Sequence, residues 1–275
     1  MKIDSHQHFW NYHPVKDAWI SNDMKVIRQN FMPADLLPLL RKNNIDGCIA
    51  VQADQSEEET HFLLQLAEEN DFIKGVVGWV DFMSENIGER LQYFSQFEKL
   101  KGFRHIVQGE FEDDFLLRDD FCNGISHLEK YNFTYDLLIL PKHLQYAAVF
   151  VQRFPKQNFV IDHLAKPNFK DNDFSEWEQG ITELALYGNV YCKVSGMVTE
   201  ADWKNWKEAD FNYCLDVLVT NFGINRLMFG SDWPVSLLAA SYEQSSALVK
   251  NYFSKFSEED QDKIWGINAR KFYNL

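Results

Sequence analysis

The chain opens with MKIDSHQH (residues 1–8), a stretch that predicts a short strand. Side chains alternate between the two faces of a strand, so His6 and His8 project from the same side. Two imidazoles at positions i and i+2 can converge on one metal ion or on one polar group of a substrate. The pair is equally compatible with an exposed edge strand that has no chemical role, so the rest of the chain has to separate the two interpretations.

Seven further apolar runs, rich in Val, Ile and Phe, follow along the chain, and each carries a polar residue towards its end. The runs lie at residues 46–52, 73–80, 102–107, 133–139, 158–163, 190–195 and 226–232. Polar markers in successive runs are 25 to 44 residues apart, the length of a strand followed by a helix. The first strand is therefore one of eight similar units.

Helical patterns fill the segments between these runs. Ser56 and Glu59 have the spacing of a capping box, Pro141 stands where a first helical turn tolerates proline, and Ser257 begins a last helix. Alternating strands and helices without a low-complexity linker predict one domain over residues 1–275. Eight repeats favour a closed α/β fold, the (β/α)8 TIM barrel, over an open doubly wound sheet. No glycine-rich phosphate-binding loop follows any strand, which disfavours a nucleotide-binding fold.

Composition narrows the class of protein further. A hydrophobic content of 45% with 25% charged residues is that of an ordinary globular protein, and the net charge of −14 argues against binding to nucleic acid or to an anionic membrane surface. The four cysteines form no CxxC pair and are expected to be free thiols. Neither a signal peptide nor an apolar run of about 18 residues is present, so a cytoplasmic location is expected.

Polar residues at the predicted strand ends are the main candidates for chemistry. Asp232 ends the eighth strand, where a carboxylate has to be hydrogen-bonded, paired or functional because burying it alone is costly. His163 ends the sixth strand and could donate to a carbonyl oxygen or bind a metal. Arg104 ends the fourth strand and could hold a carboxylate or a developing oxyanion. The structural alternatives are a turn role for Asp232, a hydrogen-bonded core position for His163, and a buried ion pair of Arg104 with Asp136 or Asp81.

Four further residues are predicted to contact a substrate. Lys193 lies within the apolar seventh strand and needs a carboxylate partner if it points inward. Asp136, at the fifth strand, suits either a structural or a functional role. Gln52 and Trp79 end the second and third strands and would suit the hydroxyls and the ring face of a sugar.

Two connections are longer than packing needs and carry several aromatic residues. One spans residues 9–32 after the first strand, and the other spans residues 197–206 after the seventh. We expect both to lie over the catalytic end of the barrel and to cover a substrate. The alternative is aromatic packing between helices.

Five motifs, in chain order, resemble the amidohydrolase superfamily. They are DSHQHFW (4–10), GFRH (102–105), DHLAKP (162–167), KVSG (193–196) and GSDWP (230–234). The resemblance is closest to the lactonase branch, which includes L-fuconolactone and L-rhamnonolactone hydrolases and 2-pyrone-4,6-dicarboxylate lactonase. It covers nearly the whole chain and implies a (β/α)8 barrel in which Asp232 activates water and His163 contacts the scissile carbonyl.

The chain departs from the two-metal members of the superfamily. Those members carry a carboxylated lysine or a glutamate at the fourth strand and a histidine at the fifth. Here the two positions hold Arg104 with His105 and Tyr135 with Asp136. A binuclear site is therefore not expected, and we expect no required cofactor. The residues that could still hold a single divalent ion such as zinc are His6, His8, His163 and Asp232.

These residues and the resemblance together predict a hydrolase that opens a sugar-derived lactone, such as L-fucono- or L-rhamnonolactone, to the aldonic acid. Asp232 would take a proton from water, His163 and Arg104 would hold the carbonyl oxygen, and the two N-terminal histidines would orient the lactone. A metal-dependent decarboxylase or amidohydrolase of the same superfamily is one alternative. A non-catalytic barrel that binds a sugar acid is another. The expected partner is a small molecule, and the barrel could form a homo-oligomer.

Overall fold

Eight strands form one parallel sheet in the computed structural model, which describes residues 1–275. The strands are β1 (Ile3–Gln7), β2 (Gly47–Val51), β3 (Ile73–Gly78), β4 (Leu100–His105), β5 (Thr134–Leu137), β6 (Phe159–Ile161), β7 (Val190–Val194) and β8 (Leu227–Phe229). Each strand pairs in parallel with the next one in the chain.

The segment after β8 returns to β1 and almost closes the sheet. The backbone N–H of Asp232 donates to the carbonyl of His6 at 2.8 Å. The N–H of His8 in turn donates to the carbonyl of Trp233 at 2.7 Å. The predicted (β/α)8 barrel is thus confirmed, and its closure brings the end of β8 beside the end of β1.

Helices separate the strands and continue after the last one. They are α1 (Pro33–Lys42), α2 (Glu57–Glu69), α3 (Ile87–Phe94), α4 (Asp119–Ser126), α5 (Leu144–Arg153), α6 (Ser175–Ala185), α7 (Met197–Glu200), α8 (Asn212–Phe222), α9 (Tyr242–Phe253), α10 (Glu258–Asp262) and α11 (Asn268–Phe272). Two predicted helix starts are confirmed, because the hydroxyls of Ser56 and Ser257 accept the backbone N–H groups of Glu59 and Asp260. No helix has both the length and the apolar composition needed to cross a membrane.

A large apolar cluster packs the helices onto the barrel, and a smaller one joins strand residues to the C-terminal segment. In the smaller cluster, Phe272 and Tyr273 lie with Ile3 and Met228. The Tyr273 hydroxyl donates to Asp136 Oδ2 at 2.9 Å, so the C-terminal segment reaches a buried charge. All four cysteines are free thiols, as predicted.

Candidate active site

A cavity of about 400 Å³ lies where β1, β4, β6 and β8 end, the side of the barrel that carries the sites of enzymes with this fold. Its polar lining residues are His8, Arg104, Gln108, His163, Lys166, Thr199, Glu200 and Asp232. Its tryptophans are Trp10, Trp19 and Trp203. These tryptophans come from the two long connections, so both connections line the cavity, and their covering a substrate stays a prediction.

Four of the residues predicted from the sequence converge here. The Nε2 atoms of His6 and His8 are 3.2 Å apart. Asp232 Oδ1 lies 3.9 Å from Nε2 of His6, 3.5 Å from Nε2 of His8 and 3.8 Å from Nε2 of His163. All four side chains are buried. One carboxylate oxygen therefore faces three imidazole nitrogens.

Unusual backbone conformations aim two of these side chains. The four residues from His163 to Lys166 all have left-handed backbone angles, with φ between 52° and 58°, although none is glycine. Asp232 has a φ of 56°. Such conformations are costly for residues with a β-carbon and concentrate at functional sites. The turn after β6 and the turn after β8 therefore bring His163 and Asp232 to the cavity at the expense of local strain.

Burial and neighbouring groups give Asp232 and His163 different charges. Burial lowers the pKa of His163 to about 4, although the nearby carboxylates of Asp232 and Asp162 act in the opposite direction. Burial raises the pKa of Asp232, but His163 and His8 outweigh it, and the net pKa lies below the ordinary aspartate value. At neutral pH the site thus presents a carboxylate beside a neutral imidazole.

Hydrogen bonds to the other ring nitrogens orient the imidazoles. Nδ1 of His8 donates to the carbonyl of Val51 at 2.7 Å, which leaves the lone pair on its Nε2. Nδ1 of His163 lies 2.8 Å from the hydroxyl oxygen of Ser195. If this hydroxyl donates, His163 carries its proton on Nε2, the nitrogen that faces Asp232.

Arg104 lines the cavity but is also held firmly by the protein. Its Nη1 donates to Asp162 Oδ2 at 2.9 Å and lies 3.4 Å from Nε2 of His6. Its Nη2 donates to the backbone carbonyl of Gln52 and to the side-chain oxygen of Gln52. The structural alternative from the sequence named Asp136 or Asp81 as the ion-pair partner, and the structure shows Asp162 instead.

Of the six residues predicted to contact a substrate, His8 lines the cavity, whereas His6, Gln52, Trp79, Asp136 and Lys193 do not. Lys193 finds the carboxylate partner that its position requires, since Nζ lies 2.5 Å from Asp136 Oδ2, and both side chains are fully buried. Gln52 is buried and holds Arg104. Trp79 donates from Nε1 to Nδ1 of His105 at 3.2 Å. Gln52, Trp79, Asp136 and Lys193 thus contact other polar side chains of the barrel, and a direct contact with a substrate stays a prediction for them.

Sequence reasoning missed an ion pair at the cavity wall. Lys166 Nζ lies 2.9 Å from Glu200 Oε1, and both residues line the cavity beside Trp203. Lys166 belongs to the DHLAKP motif, and Glu200 to the long connection after β7, so both residues lie in segments that were already predicted to reach the site. The left-handed turn that brings Lys166 to the cavity was not predicted.

The chain matches the family model described as amidohydrolase over residues 3–275. It belongs to the amidohydrolase family. Among its relatives within curated proteins, the L-fucono-1,5-lactonase of Burkholderia multivorans is 38% identical over 286 aligned residues, which cover 100% of this chain and 96% of that protein. The L-fucono-1,5-lactonase of Burkholderia ambifaria is 31% identical, with 100% of this chain and 96% of that protein covered. The resemblance predicted from the five motifs is confirmed.

A solved structure from the amidohydrolase family has the same fold as this chain. The crystal structure of an amidohydrolase from Burkholderia multivorans with bound zinc has a TM-score of 0.97 and 38% identity to this chain, and the match covers 100% of this chain and 99% of that one. The zinc in that crystal raises the question of whether this amidohydrolase has a site that fits an ion.

The donor set of this amidohydrolase fits a single divalent ion. Ligand atoms of His6, His8 and Asp232 all lie within 4.8 Å of one another. Zinc bonds of about 2.0–2.2 Å place tetrahedral ligand atoms about 3.3–3.6 Å apart, close to the 3.2–3.9 Å measured among these atoms. The bond from His8 Nδ1 to Val51 is of the kind that orients metal-binding histidines. His163, whose Nε2 lies 3.8 Å from Asp232 Oδ1, is a candidate for a fourth ligand.

Proposed function

We propose that this amidohydrolase is a lactonase that hydrolyses a sugar-derived lactone, of the L-fucono- or L-rhamnonolactone type, to the aldonic acid. The observation that carries the proposal is the pairing of an ionised Asp232 with a neutral His163, 3.8 Å apart between Oδ1 and Nε2, at a cavity lined by tryptophans. The names of the two Burkholderia relatives support the substrate class. They do not favour a decarboxylase or a non-catalytic binding protein.

In the proposed reaction Asp232 acts as the general base. It takes a proton from a water molecule while the water oxygen bonds to the lactone carbonyl carbon. His163 donates its Nε2 proton as a hydrogen bond to the carbonyl oxygen, which gains negative charge in the tetrahedral intermediate. The bond to the ring oxygen then breaks, and that oxygen receives the proton from Asp232. One water is consumed, and the free acid and one hydroxyl are formed.

Arg104 contributes charge more than direct contact. Both of its Nη groups are engaged by Asp162 and Gln52, so the guanidinium has little freedom to move onto a substrate. A fixed positive charge at the cavity still stabilises the developing oxyanion, and it needs no reorganisation during the reaction. The role given to Arg104 is therefore to stabilise the transition state electrostatically.

The cavity wall suits a polyhydroxylated ring. Trp10, Trp19 and Trp203 offer flat apolar surfaces, against which the less polar face of a sugar ring can lie. Lys166 and Glu200 offer three N–H donors and a carboxylate acceptor, which can exchange their mutual ion pair for hydrogen bonds with ring hydroxyls. The cavity volume of about 400 Å³ lies within the usual range for small-molecule sites.

A single divalent ion held by His6, His8, Asp232 and His163 would polarise the lactone carbonyl or lower the pKa of a water. We infer that such an ion is not required, because a lactone is an activated ester and Asp232 and His163 already supply a base and a donor. Protein dialysed against EDTA, with its residual metal measured by mass spectrometry, is expected to keep its lactonase activity. Loss of nearly all activity that returns with zinc would overturn this inference.

The function itself is tested on a panel of lactones with a pH indicator that reports acid release. We expect rapid acid release from six-carbon deoxy-aldonolactones and slower release from lactones that have an additional hydroxyl at C6. The Asp232→Asn variant serves as the control for spontaneous opening. If the pure protein opens no lactone but releases carbon dioxide from a hydroxybenzoate, the decarboxylase alternative replaces this proposal.

A further inference from the structure

The Nδ1 atom of His6 lies between two groups of opposite character. Lys193 Nζ is 3.1 Å away, and Asp162 Oδ1 is 3.2 Å away. A neutral imidazole has one proton, which sits on either Nδ1 or Nε2. Lysine can only donate a hydrogen bond and an ionised aspartate can only accept one. The choice between these two neighbours therefore decides which nitrogen of His6 carries the proton.

The contact with Lys193 completes one chain of hydrogen bonds. When Nζ donates to Nδ1 of His6, the His6 proton sits on Nε2 and can be donated to Nε2 of His8 at 3.2 Å. His8 in turn donates from Nδ1 to the carbonyl of Val51. Every donor in this chain has an acceptor. In this form Nε2 of His6 has no free lone pair, so it cannot bind a metal ion.

The contact with Asp162 favours the opposite tautomer. Asp162 is fully buried; its Oδ2 accepts from Arg104, and its Oδ1 forms an ion pair with Lys193, whose Nζ is 2.9 Å away. A carboxylate oxygen can accept more than one hydrogen bond, so Oδ1 can accept from Nδ1 of His6, 3.2 Å away, as well as pair with Lys193. If His6 carries its proton on Nδ1, a small rotation of the ring lets it donate to this oxygen. The lone pair of Nε2 then points at the group formed with His8 and Asp232.

We propose that His6 changes tautomer when the site binds a divalent ion such as zinc. Without an ion, Lys193 donates to Nδ1 and the His6 proton sits on Nε2. With an ion on Nε2, the proton sits on Nδ1 and is donated to Asp162; one proton leaves Nε2 and another binds Nδ1, so the imidazole stays neutral. Asp162 and Lys193 are positioning residues that set the affinity for the ion. The proposal rests on the ligand set proposed above but not on lactonase activity.

The test measures the protonation of His6 directly. Full-length protein labelled with ¹⁵N-histidine and treated with EDTA is titrated with zinc, and two-dimensional ¹H–¹⁵N spectra identify the protonated nitrogen of each imidazole. The His6 signals are assigned from their absence in His6→Asn. We expect a proton on Nε2 before zinc and on Nδ1 at saturation. A proton on Nδ1 before zinc, or unchanged His6 signals at saturating zinc, would overturn the proposal whatever the lactone assays show.

Variants then distinguish the effect of Asp162 on His6 from that of Lys193. Zinc affinity is measured by competition with a chromophoric chelator. Asp162→Asn is expected to weaken zinc binding about 10- to 100-fold, the usual effect of losing a partner of a metal-binding histidine. Tyr273→Phe is the matched control, because it removes one hydrogen bond from the same buried cluster without touching His6. Its zinc affinity should equal that of the wild type; an equal loss in both variants would contradict the role of Asp162.

A second variant covers the case in which Asp162→Asn does not fold. The double change Lys193→Met with Asp136→Asn removes the donor to His6 and one carboxylate together, so the charge of the buried cluster is unchanged. We expect its His6 to carry the proton on Nδ1 even before zinc is added. A proton that stays on Nε2 in this variant would show that Lys193 does not hold the tautomer and would overturn the proposal.

Discussion

The backbone at Gly196 occupies the space immediately beside the imidazole of His163. A β-carbon at position 196 would lie 2.5 Å from Nδ1 of His163, far closer than two such atoms can approach. Gly196 also has a left-handed φ of 64°, which disfavours any residue with a side chain. Two separate requirements therefore favour glycine at this position of the KVSG motif. One is the left-handed backbone conformation, and the other is the close packing against a candidate catalytic residue.

Replacing Gly196 with alanine should displace His163. A misplacement of a catalytic group by about 1 Å can lower the rate on the order of a hundredfold, so we expect a loss of that size in kcat. Gly223→Ala is the matched control, because its φ is 66° but nothing lies within 4 Å of the added carbon. Both variants should lose stability from the backbone, and Gly223→Ala should lose more, because Gly223 has a ψ of 166° and Gly196 one of 5°. Equal kcat values for the two variants would show that His163 tolerates the displacement or does not act in the reaction.

His105 connects the barrel to a loop of the cavity. Trp79 donates to its Nδ1, so its Nε2 carries the proton and donates to Glu110 Oε1 at 2.6 Å. The loop fixed in this way carries Ile106 and Gln108, both of which line the cavity. Burial lowers the pKa of His105 below the ordinary histidine value, although Glu110 acts in the opposite direction.

This lowered pKa makes a prediction about stability. Between the unfolded pKa of about 6.5 and the lower folded pKa, the unfolded chain binds more protons at His105 than the folded chain does. The stability that neutral His105 contributes is therefore fully present above about pH 6.5 and is lost as the pH falls through that interval. His105→Gln has no such group, so the difference in unfolding free energy between wild type and variant should shrink from pH 7 to pH 5. Urea unfolding at several pH values measures this difference in free energy. A difference that grows towards pH 5 would mean that folding raises the pKa of His105, contrary to the prediction.

Arg104→Lys keeps the charge but loses the forked geometry. Arg104 binds Asp162 with one nitrogen and Gln52 with another, and a lysine ammonium cannot hold both in the same positions. Because the ammonium then lies away from the position that the guanidinium holds, the charge stabilises the oxyanion less, and we expect a loss of about 1–3 kcal/mol of transition-state stabilisation in kcat/KM. Arg226→Lys is the control, since Arg226 is also forked but binds backbone carbonyls such as those of Ala185 and Tyr187. A variant of Arg104 that loses stability but keeps kcat/KM would make its role structural.

The fold and the central residues were predictable because the sequence marks each strand end. The alternation of His6 and His8 in β1, and the polar residues that follow β6 and β8, place these groups at one end of a parallel barrel. Closure of the barrel brings the ends of β1, β6 and β8 together, and the turns after β6 and β8 then direct His163 and Asp232 towards His6. The aromatic content of the two long connections likewise predicted the cover of the site.

Ion-pair partners inside the barrel were not predictable. Arg104 and Asp136 are register partners on β4 and β5, yet Asp136 pairs with Lys193, and Arg104 pairs with Asp162. The outcome depends on how cations from different strands compete for carboxylates across the interior, and strand spacing does not encode that. The approach of Lys166 to the cavity was not predictable for another reason, since leucine, alanine and lysine, which occupy positions 164–166, rarely adopt left-handed conformations.

The most direct test of the proposed chemistry is Asp232→Asn. The amide has nearly the same shape as the carboxylate, and the backbone N–H of residue 232 still bonds to the carbonyl of His6, so the fold should be retained. The amide cannot accept a proton from water. Loss of a general base lowers kcat roughly a hundredfold to ten-thousandfold, with a much smaller change in KM expected.

The control for this variant is Asp81→Asn, an equally conservative change at an exposed aspartate three residues beyond the end of β3. The side chain of Asp81 accepts only the backbone N–H of Met83 and does not line the cavity, so the kcat of the variant should match that of the wild type. Both variants are compared by steady-state kinetics after circular dichroism has shown that they fold. If folded Asp232→Asn keeps more than about a tenth of the wild-type kcat, the loss is too small for a general base. The proton acceptor would then have to be one of the neighbouring histidines.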